Sequence, residues 1–367
     1  MADTKLSALT ELAATPATDD EIYIRDVSEA AATESKRITY ASLMGGRFAR
    51  NAIINGAGWV YQRAAAYTLV KDTYGIAADR FYGMATGTAV SAGTFAPAYG
   101  FATGETEGAH GFQFAGVTLT GTGVIYFRYR MEAADAVKFR GKTASFSCKV
   151  KHDVGSDVNY TVYIRKANAA DDFSGVTAIA NSGAIAITTG TSTALTLLAT
   201  AMGECQNGVE IEIKVECGAI TTKAFNFGDV QFELGTVATP FEYKSYEQEL
   251  ALCQRYYERI TAEQLYSIFG VGINRSTTIC VGTVVMKVVK RTIPTLDVYG
   301  TAAEYAVHHG SDTNTACSSA PIITALNASS SVLGVTFTVA AGLTAGAVGL
   351  LTSNNSTNTY LGFSAEL

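Results

Sequence analysis

The segment from Gln231 to Tyr257 constrains the fold of this chain more than any other part of it. Its first residues alternate in polarity as a β-strand does and end in glycine, and Pro240 then fixes an extended exit. Ser245 follows as a candidate helix N-cap, with Gln248 three residues later at the spacing of a capping box. This order predicts one short helical joint between two β-rich regions.

The chain has few charged residues with which to form the solvent-exposed surface of a monomer. Of the 367 residues, 16% are charged and 48% are hydrophobic, which favours burial of surface between subunits. The 35 glycines and 5 prolines, together with frequent Thr, Val and Tyr, are typical of short strands joined by tight turns. The chain is too long for one ordinary core, so we expect two or three domains.

Composition also argues against several classes of protein. The net charge of −6 and the scattered lysines disfavour a nucleic-acid binder, which needs a basic stripe to neutralise phosphates. The polar opening from Met1 to Lys5 is unlike a signal peptide. The apolar run over residues 335–351 contains glycines and alternating threonines, so we expect a β-hairpin there and no membrane insertion.

The cysteine pattern favours free thiols over a metal site or a disulfide framework. The six cysteines form no Cys-x-x-Cys pair, and the chain has only four histidines, so no structural zinc site is predicted. We expect buried thiols in a protein that folds in a reducing cytoplasm. Cys205 and Cys217, across the Asn207–Gly208 turn, are the one pair worth checking for a bridge.

Residues 1–45 are predicted to form a small separate module. One strand is expected over residues 21–27 and another over residues 35–39, where Thr39 is placed to cap a following helical turn. Three isoleucines mark the apolar positions of these strands: Ile22, Ile24 and Ile38. So few apolar residues cannot bury a core alone, and we therefore expect this module to dock onto another surface through them.

Residues 46–243 are predicted to form one large β-sandwich. The strand at 209–215 alternates without interruption, with apolar residues at the odd positions and Glu210, Glu212 and Lys214 at the even ones. Such a strand has one buried face and one solvated face, as in an antiparallel sandwich. Further strands are expected over residues 124–130, 141–150 and 160–165, and strands at this spacing suit a jelly roll.

Residues 244–260 are predicted to be the helical joint. The apolar positions are spaced 4, 3, 4 and 3 apart, as in a coiled-coil seam: Tyr246, Leu250, Cys253, Tyr257 and Ile260. Two heptads are too short to be stable alone. Two interpretations therefore stay open, a helix packed on its own domain and a helix that meets its copies on a symmetry axis.

Residues 261–367 are predicted to form a C-terminal β-domain. A strand from residue 283 should end at Pro294 or lie at a sheet edge, because proline lacks an N–H donor. Stretches rich in Thr, Ser, Asn and Gly follow. The expected fold class is mainly β: a jelly-roll β-sandwich and a C-terminal β-sandwich joined by a short helix, with a small N-terminal module.

Three segments carry a resemblance to a known family. They are the opening of the sandwich at Trp59-Val-Tyr-Gln-Arg63 and Asp79-Arg80-Phe81-Tyr82, its close at Gln231-Phe-Glu-Leu-Gly235, and the C-terminal region with Arg291-Thr-Ile-Pro-Thr295 and the ending Ala365-Glu366-Leu367. In this order they resemble bacteriophage and prophage tail-fibre (receptor-binding) proteins with a carbohydrate-binding-module-like jelly roll.

The resemblance implies a virion protein that attaches a phage to its host without catalysis. Residues 1–45 would bind tail or baseplate proteins, the jelly roll would form the body, and residues 261–367 would present a host-facing tip to a surface glycan or protein. A homotrimer is implied as well. Three alternatives stay open: a capsid (head) fibre or decoration protein, a tail-associated polysaccharide depolymerase, and a structural spacer.

The sequence offers candidate binding residues and no catalytic ones. No nucleophile elbow, zinc-protease motif or phosphate-binding loop occurs, so no catalytic residue, metal ligand or cofactor is predicted. Trp59 is a candidate sugar platform, although a tryptophan early in a strand is more often core. Four residues in apparently loop-like stretches of the last region are candidates for receptor binding: Tyr305, His308, His309 and Tyr360.

Overall fold

The computed structural model describes residues 21–25, 35–39, 50–63, 65–98, 101, 106, 110–310 and 312–367. For residues 21–25, 35–39 and 325–327 it describes the backbone alone. Residues 1–52 and residues 53–367 form two separate compact units.

The first unit contains an antiparallel hairpin of β1 (Glu21–Arg25) and β2 (Ser35–Thr39). Its register places Ile22 opposite Ile38. Both strands of the N-terminal module were predicted, the first of them from the alternation of Ile22 and Ile24 with polar residues. The helical turn expected after Thr39 lies outside the described residues, and the anchoring role of Ile22, Ile24 and Ile38 stays a prediction.

The first sandwich of the second unit is built from short strands joined by tight turns. In chain order these strands are β3 (Tyr67–Thr68), β4 (Gly75–Ile76), β5 (Phe81–Thr86), β6 (Ala89–Ala98), β7 (Gly111–Thr120), β8 (Val124–Met131), β9 (Thr143–His152), β10 (Val158–Ala169), β11 (Asp172–Asn181), β12 (Ile185–Ile187), β13 (Thr193–Ala201), β14 (Val209–Glu216) and β15 (Ile220–Leu234). A short helix α1 (Ala133–Ala136) and a 3₁₀ turn (Val137–Phe139) follow β8.

These strands pair into two antiparallel sheets. One has the order β11-β10-β14-β8-β5-β4, with β12 also paired to β10, and the other has the order β13-β9-β15-β7-β6-β3. Stacked aromatic rings fill the space between the sheets: Phe127 lies 4.9 Å from Phe81 and 4.5 Å from Phe227, centroid to centroid. The predicted mainly β fold class with a jelly-roll sandwich is confirmed.

The burial of two even-numbered residues of β14 differs from the prediction. Glu210 and Glu212 are buried, not solvated. Sequence alternation placed them correctly on the face opposite Ile211 and Ile213, but guanidinium groups of neighbouring strands cover their carboxylates. Alternation reports the face on which a side chain lies, whereas burial depends on what the adjacent strands contribute there.

The predicted helical joint is shorter than its heptad pattern suggests. Helix α2 covers Tyr246–Gln254 and has the predicted capping box of Ser245 and Gln248. The chain then enters strand β16 (Tyr257–Thr261), so Tyr257 and Ile260 do not belong to a helical seam. Cys253 is fully buried within its own chain. The five-residue coiled-coil seam is therefore wrong, because spacing alone cannot show where a helix gives way to a strand.

The second sandwich follows the helix directly. Its strands are β16 (Tyr257–Thr261), β17 (Ile268–Asn274), β18 (Ile279–Val285), β19 (Thr295–Tyr299), β20 (Tyr305–His309), β21 (Thr313–Ala316), β22 (Ile322–Ala328), β23 (Val332–Thr338), β24 (Val348–Ser353) and β25 (Tyr360–Ser364), with a 3₁₀ turn at Ala302–Glu304. A three-stranded sheet, β16-β25-β19, and a seven-stranded sheet, β21-β20-β24-β17-β18-β23-β22, enclose one apolar core.

Two local predictions about this region need correction. The run at 335–351 forms strands, but β23 and β24 are separated in the sheet by β17 and β18 and make no hairpin with each other. The strand expected to reach Pro294 already ends at Val285. No helix within the described residues is long and apolar enough to cross a bilayer.

The cysteines are unpaired, as expected. All six are free, and five of them are buried. Cys205 and Cys217 form no bridge. Burial raises the pKa of the Cys217 thiol to about 12, so this half-buried cysteine is a poor nucleophile at neutral pH. The domain boundaries at residues 45, 243 and 260, and the separate roles of the domains, stay predictions.

Candidate functional site

The outer face of the β11-β10-β14-β8-β5-β4 sheet carries alternating tyrosines and charged groups. On β8, Tyr126 and Arg128 point outward while the phenylalanine between them is core. The pairing of β8 with β14 and of β14 with β10 places Arg128, Glu212 and Tyr163 in one row across three strands. Tyr126 lies in the adjacent row, opposite Lys214. We call this surface the tyrosine face.

A dense ion-pair network fixes the centre of the tyrosine face. Arg128 lies 2.7 Å from Glu212 and 3.4 Å from Glu210, measured between nitrogen and oxygen. Arg165 bridges the same two carboxylates at 2.8 and 3.0 Å. Each carboxylate therefore has more than one cationic partner, and the two guanidinium planes are held in place before any ligand arrives.

Tyr74 completes the network from the edge of the sheet. Its hydroxyl donates a 2.6 Å hydrogen bond to Glu212, and the guanidinium carbon of Arg128 lies 3.6 Å from the centroid of its ring. Burial disfavours ionisation of Glu212, but Arg128, Tyr74 and Arg165 outweigh that effect and lower the pKa of this carboxyl. Glu212 is thus an ionised hydrogen-bond acceptor at neutral pH.

Both outer tyrosines stay within reach of solvent. Tyr126 and Tyr163 are half-buried, and the guanidinium carbon of Arg165 lies 4.8 Å from the centroid of the Tyr163 ring. Partial burial raises the pKa of the Tyr126 hydroxyl, which keeps it a neutral donor and acceptor. The face can therefore stack apolar C–H surface on two rings and offer the partly exposed guanidinium groups of Arg128 and Arg165 to hydroxyl oxygens.

Trp59 belongs to a second aromatic cluster. Its ring centroid lies 5.0 Å from that of His110 and 4.8 Å from that of Tyr243, and its indole Nε1 is buried without a hydrogen-bond partner among the described residues. A cavity of 170 Å³ lies nearby and is lined by Gly58, Tyr61, Ala65, Pro97, Ala98 and His110. Tyr61 is largely exposed at its rim.

The four residues predicted for receptor binding do not share one surface. Tyr305 is fully buried, and its hydroxyl donates to the carbonyl oxygens of Tyr299 and Tyr360. A recognition role for Tyr305 is therefore wrong. Tyr360 lies in β25, in the other sheet, with its ring stacked on that of Tyr299.

The two histidines occupy a strand and not the expected loop. Because neighbouring strand residues face opposite sides, His308 and His309 on β20 diverge. The Nε2 atom of His308 lies 3.7 Å from Asp312, and that of His309 lies 2.8 Å from the hydroxyl oxygen of Thr315. Among the described residues, no group of three or more His, Cys, Asp or Glu could hold a metal ion.

Several of the residues that carried the family resemblance meet at the junction of the two sandwiches. Arg80 is fully buried, forms an ion pair with Glu366 of the C-terminal segment, and lies 3.5 Å from the ring centroid of Tyr256. Asp79 accepts a 2.6 Å hydrogen bond from Gln62, and burial raises the pKa of its carboxyl to about 7.

A second set of contacts spans the same junction. Gln62 also donates to the carbonyl oxygen of Tyr257, and the guanidinium carbon of Arg63 lies 3.7 Å from the Tyr257 ring centroid. These groups have protein partners on both sides of the junction. They therefore connect the sandwiches, and the sequence motif marks a structural joint.

The sequence contains a signal for the tyrosine face in the alternation of tyrosine and arginine along two strands. Strands 124–130 and 160–165 both place tyrosine and arginine at alternate positions. That spacing puts them on one face of each strand, but only the pairing of both strands with β14 brings them around Glu212.

Comparison with known proteins gives structural similarities at low identity. No protein-family model matches the chain, and no curated protein matches it. The carboxy-terminal family 22 carbohydrate-binding module of Clostridium thermocellum Xyn10B is 13% identical, with a TM-score of 0.29 over 43% of this chain and 88% of that one. The enzymatically active domain of bacteriophage CBA120 tailspike protein 4 is 16% identical, with a TM-score of 0.31 over 50% of this chain and 21% of that one.

A structure described as a carbohydrate-binding module of the β-sandwich superfamily is 13% identical, with a TM-score of 0.33 over 58% of this chain and 72% of that one. These similarities are partial and distant. The β-sandwich assignment rests on the strand order of the chain itself, and any role rests on its own side chains.

Proposed function

We propose that this protein binds a polysaccharide through the tyrosine face and does so without cleaving it. The observation that carries the proposal is the row of Tyr163, Glu212 and Arg128 across three paired strands, with Tyr126 beside it. Sugar rings present C–H faces that pack on tyrosine and pairs of hydroxyls that match a carboxylate or a guanidinium.

The ion-pair network favours such a ligand because it prepares the polar groups in advance. Arg128 and Arg165 are each held by two carboxylates, so little side-chain freedom is lost when a ligand binds. Arg128 and Arg165 keep part of their side chains exposed, so their guanidinium N–H groups can donate to the hydroxyl oxygens of a glycan.

We further propose that the setting is a phage tail, as the family resemblance implies. Individual contacts on an open protein face are weak, and presentation of several copies on one particle adds avidity of about 10²- to 10⁴-fold. Residues 1–45 would fasten the protein to the particle, and a host surface glycan would be the target. A head fibre would use the same binding face from a different anchor.

The test measures binding of the purified full chain to host surface polysaccharide by biolayer interferometry. We expect Tyr126→Ala and Tyr163→Ala each to raise Kd roughly 2- to 10-fold, since an aromatic contact contributes about 0.5–1.5 kcal/mol. Tyr299→Ala is the matched control, because Tyr299 is an exposed tyrosine on the other sandwich.

Two outcomes would contradict the proposal. If Tyr61→Ala weakens binding while Tyr126→Ala and Tyr163→Ala do not, the ligand occupies the Trp59 cluster and the tyrosine face is not the site. If the polysaccharide is shortened during incubation, as read by newly formed reducing ends, the protein is a depolymerase.

A further inference from the structure

The seven-stranded sheet of the second sandwich has an apolar outer face where a solvated antiparallel sheet normally carries polar residues. Six side chains form it, which we call the Val/Ile face: Val271, Ile273, Val285, Ile322, Val332 and Val348. Val285 is 67% exposed and Val348 is 63% exposed. The opposite face of the same strands packs into the core through other residues.

The strand register makes this face continuous. Ile273 on β17 lies opposite Val348 on β24 and Val281 on β18, and Val285 on β18 lies opposite Val332 on β23. Five neighbouring strands therefore contribute to one apolar surface, with Ile322 on the edge strand β22. Scattered exposed valines need no explanation, but a contiguous apolar patch marks an interaction surface.

The Val/Ile face has both a hollow and projecting side chains, which suits contact with the same face of another copy. Glycine takes the place of a side chain at Gly334, opposite Thr283, and leaves a hollow of 580 Å³ bordered by Val271, Ile273 and Val348. Val285 and Val332 stand beside that hollow. The same face thus presents both projecting side chains and a recess.

Charge points to the identity of the partner. The whole chain has a net charge of −6, so two copies repel one another unless they meet on a surface without carboxylates. Among the described residues that line the hollow, Arg275 is the one charged side chain, and none is acidic. Identical chains can therefore approach at this hollow without acidic repulsion.

The available area is of the size that a stable complex needs. Six half-exposed Val and Ile side chains present on the order of 400 Å² of apolar surface, to which the half-buried Val281 and Leu350 add. A standard interface buries about 800 Å² on each partner, of which roughly 60% is apolar. The face and its rim supply about that amount.

We infer that the Val/Ile face is a self-association surface that receives a second copy of this chain. This goes beyond glycan binding, because it assigns the assembly of the protein to the outer face of the second sandwich. It also replaces the predicted helical seam as the place where subunits meet.

The test is the mass of the full chain in solution, by light scattering after size exclusion and by analytical ultracentrifugation. One chain has a mass of 38.6 kDa, and we expect the wild type at a small multiple of it. The double variant Val271→Asp/Val348→Asp should shift to 38.6 kDa or weaken association at least 10-fold, because facing copies would bury four unpaired carboxylates. Val70→Asp, at an exposed valine on the first sandwich, should leave the oligomer intact.

A milder pair guards against misfolding of the aspartate variant. Val271→Thr/Val348→Thr keeps β-branched side chains of nearly the same shape, and it should weaken association while the circular dichroism spectrum of the folded chain stays unchanged. The inference is overturned if the wild type sediments as a monomer at about 100 μM. It is equally overturned if both double variants keep the wild-type mass, or if Leu250→Asp on α2 dissociates the oligomer and they do not.

This experiment distinguishes failure of the self-association proposal from failure of the glycan-binding proposal. A monomeric variant that still binds polysaccharide with the wild-type single-site Kd supports the Val/Ile face and leaves the tyrosine face intact. A wild type that oligomerises through this face without binding any glycan supports the interface and refutes the proposed function.

Discussion

Replacing Arg80 by methionine tests whether the junction of the two sandwiches is held by a buried ion pair. Arg80 has no exposed surface, and its partner Glu366 is only 10% exposed in its side chain. Removal of one member of a buried pair leaves an uncompensated charge and typically costs about 3–5 kcal/mol. Methionine retains much of the apolar packing of the arginine stem.

The structure sets where in that range the effect should fall. Glu366 keeps a second partner, since Arg63 lies 3.2 Å from its other carboxylate oxygen. That contact lowers the cost. The cation–π contact of Arg80 with Tyr256 is lost as well, and a desolvated contact of this kind contributes about 2 kcal/mol. We therefore expect a loss of about 3–4 kcal/mol in the free energy of unfolding.

The assay is urea-induced unfolding followed by tryptophan fluorescence and circular dichroism, with calorimetry for the melting temperature. A loss of about 3 kcal/mol corresponds to a decrease of roughly 4–5 °C for a protein of this size. Arg140→Met is the matched control, because the Arg140–Glu204 pair lies at 2.6 Å but is more than half exposed. Such exposed pairs contribute about 0–1 kcal/mol.

A double-mutant cycle isolates the pair itself. Glu366→Gln removes the charge of the partner, and the combined variant Arg80→Met/Glu366→Gln should be more stable than the sum of both single losses predicts. The reasoning is refuted if Arg80→Met costs no more than Arg140→Met, or if the coupling energy is below about 0.5 kcal/mol.

Two further predictions concern pH and packing. Burial raises the pKa of Asp79 from 3.8 to about 7 in the folded protein. The protonated carboxyl therefore contributes up to about 4 kcal/mol to stability, a contribution that is complete below pH 3.8 and is lost as the pH rises through 7. Asp79→Asn should shrink the difference in melting temperature between pH 5 and pH 8, and an unchanged difference would contradict this role of Asp79. A Cβ on Gly272 would lie 2.4 Å from the carbonyl oxygen of Val281, so Gly272→Ala should lower the free energy of chemical unfolding by about 1–3 kcal/mol. Gly175→Ala is the control, because its Cβ would meet only the flexible amide of Asn168 at 3.0 Å, and it should change stability by less than about 0.5 kcal/mol. Equal effects of the two variants would refute the steric argument.

Apolar alternation and turn residues were enough to predict the fold class. A strand such as Val209–Glu216 shows its inward face in its own sequence, and the capping box at Ser245 and Gln248 depends on residues three apart. Both features are local, so no knowledge of distant segments is needed. The same holds for the free cysteines, whose spacing already argued against a metal site.

Neither candidate surface could be located in this way. Tyr126, Arg128, Glu212 and Tyr163 lie on three strands, and their meeting depends on a pairing order that alternation does not encode. The sequence analysis places Tyr305 in a loop-like stretch, yet the second sandwich closes around it. A single strand shows which of its faces is apolar but not whether another layer covers that face.

The sequence by itself determined that this chain is mainly β, with a short capped helix between its larger regions, because the period of a strand and the cap of a helix are local properties. The tertiary structure decided that α2 ends at Gln254, that the Asp79–Arg80 motif and Glu366 form a joint, and that the outer face of β17, β18 and β24 is apolar and uncovered. Those features depend on contacts between residues up to nearly 300 positions apart, and the free energy of such contacts is set by burial and pairing that only the folded chain provides.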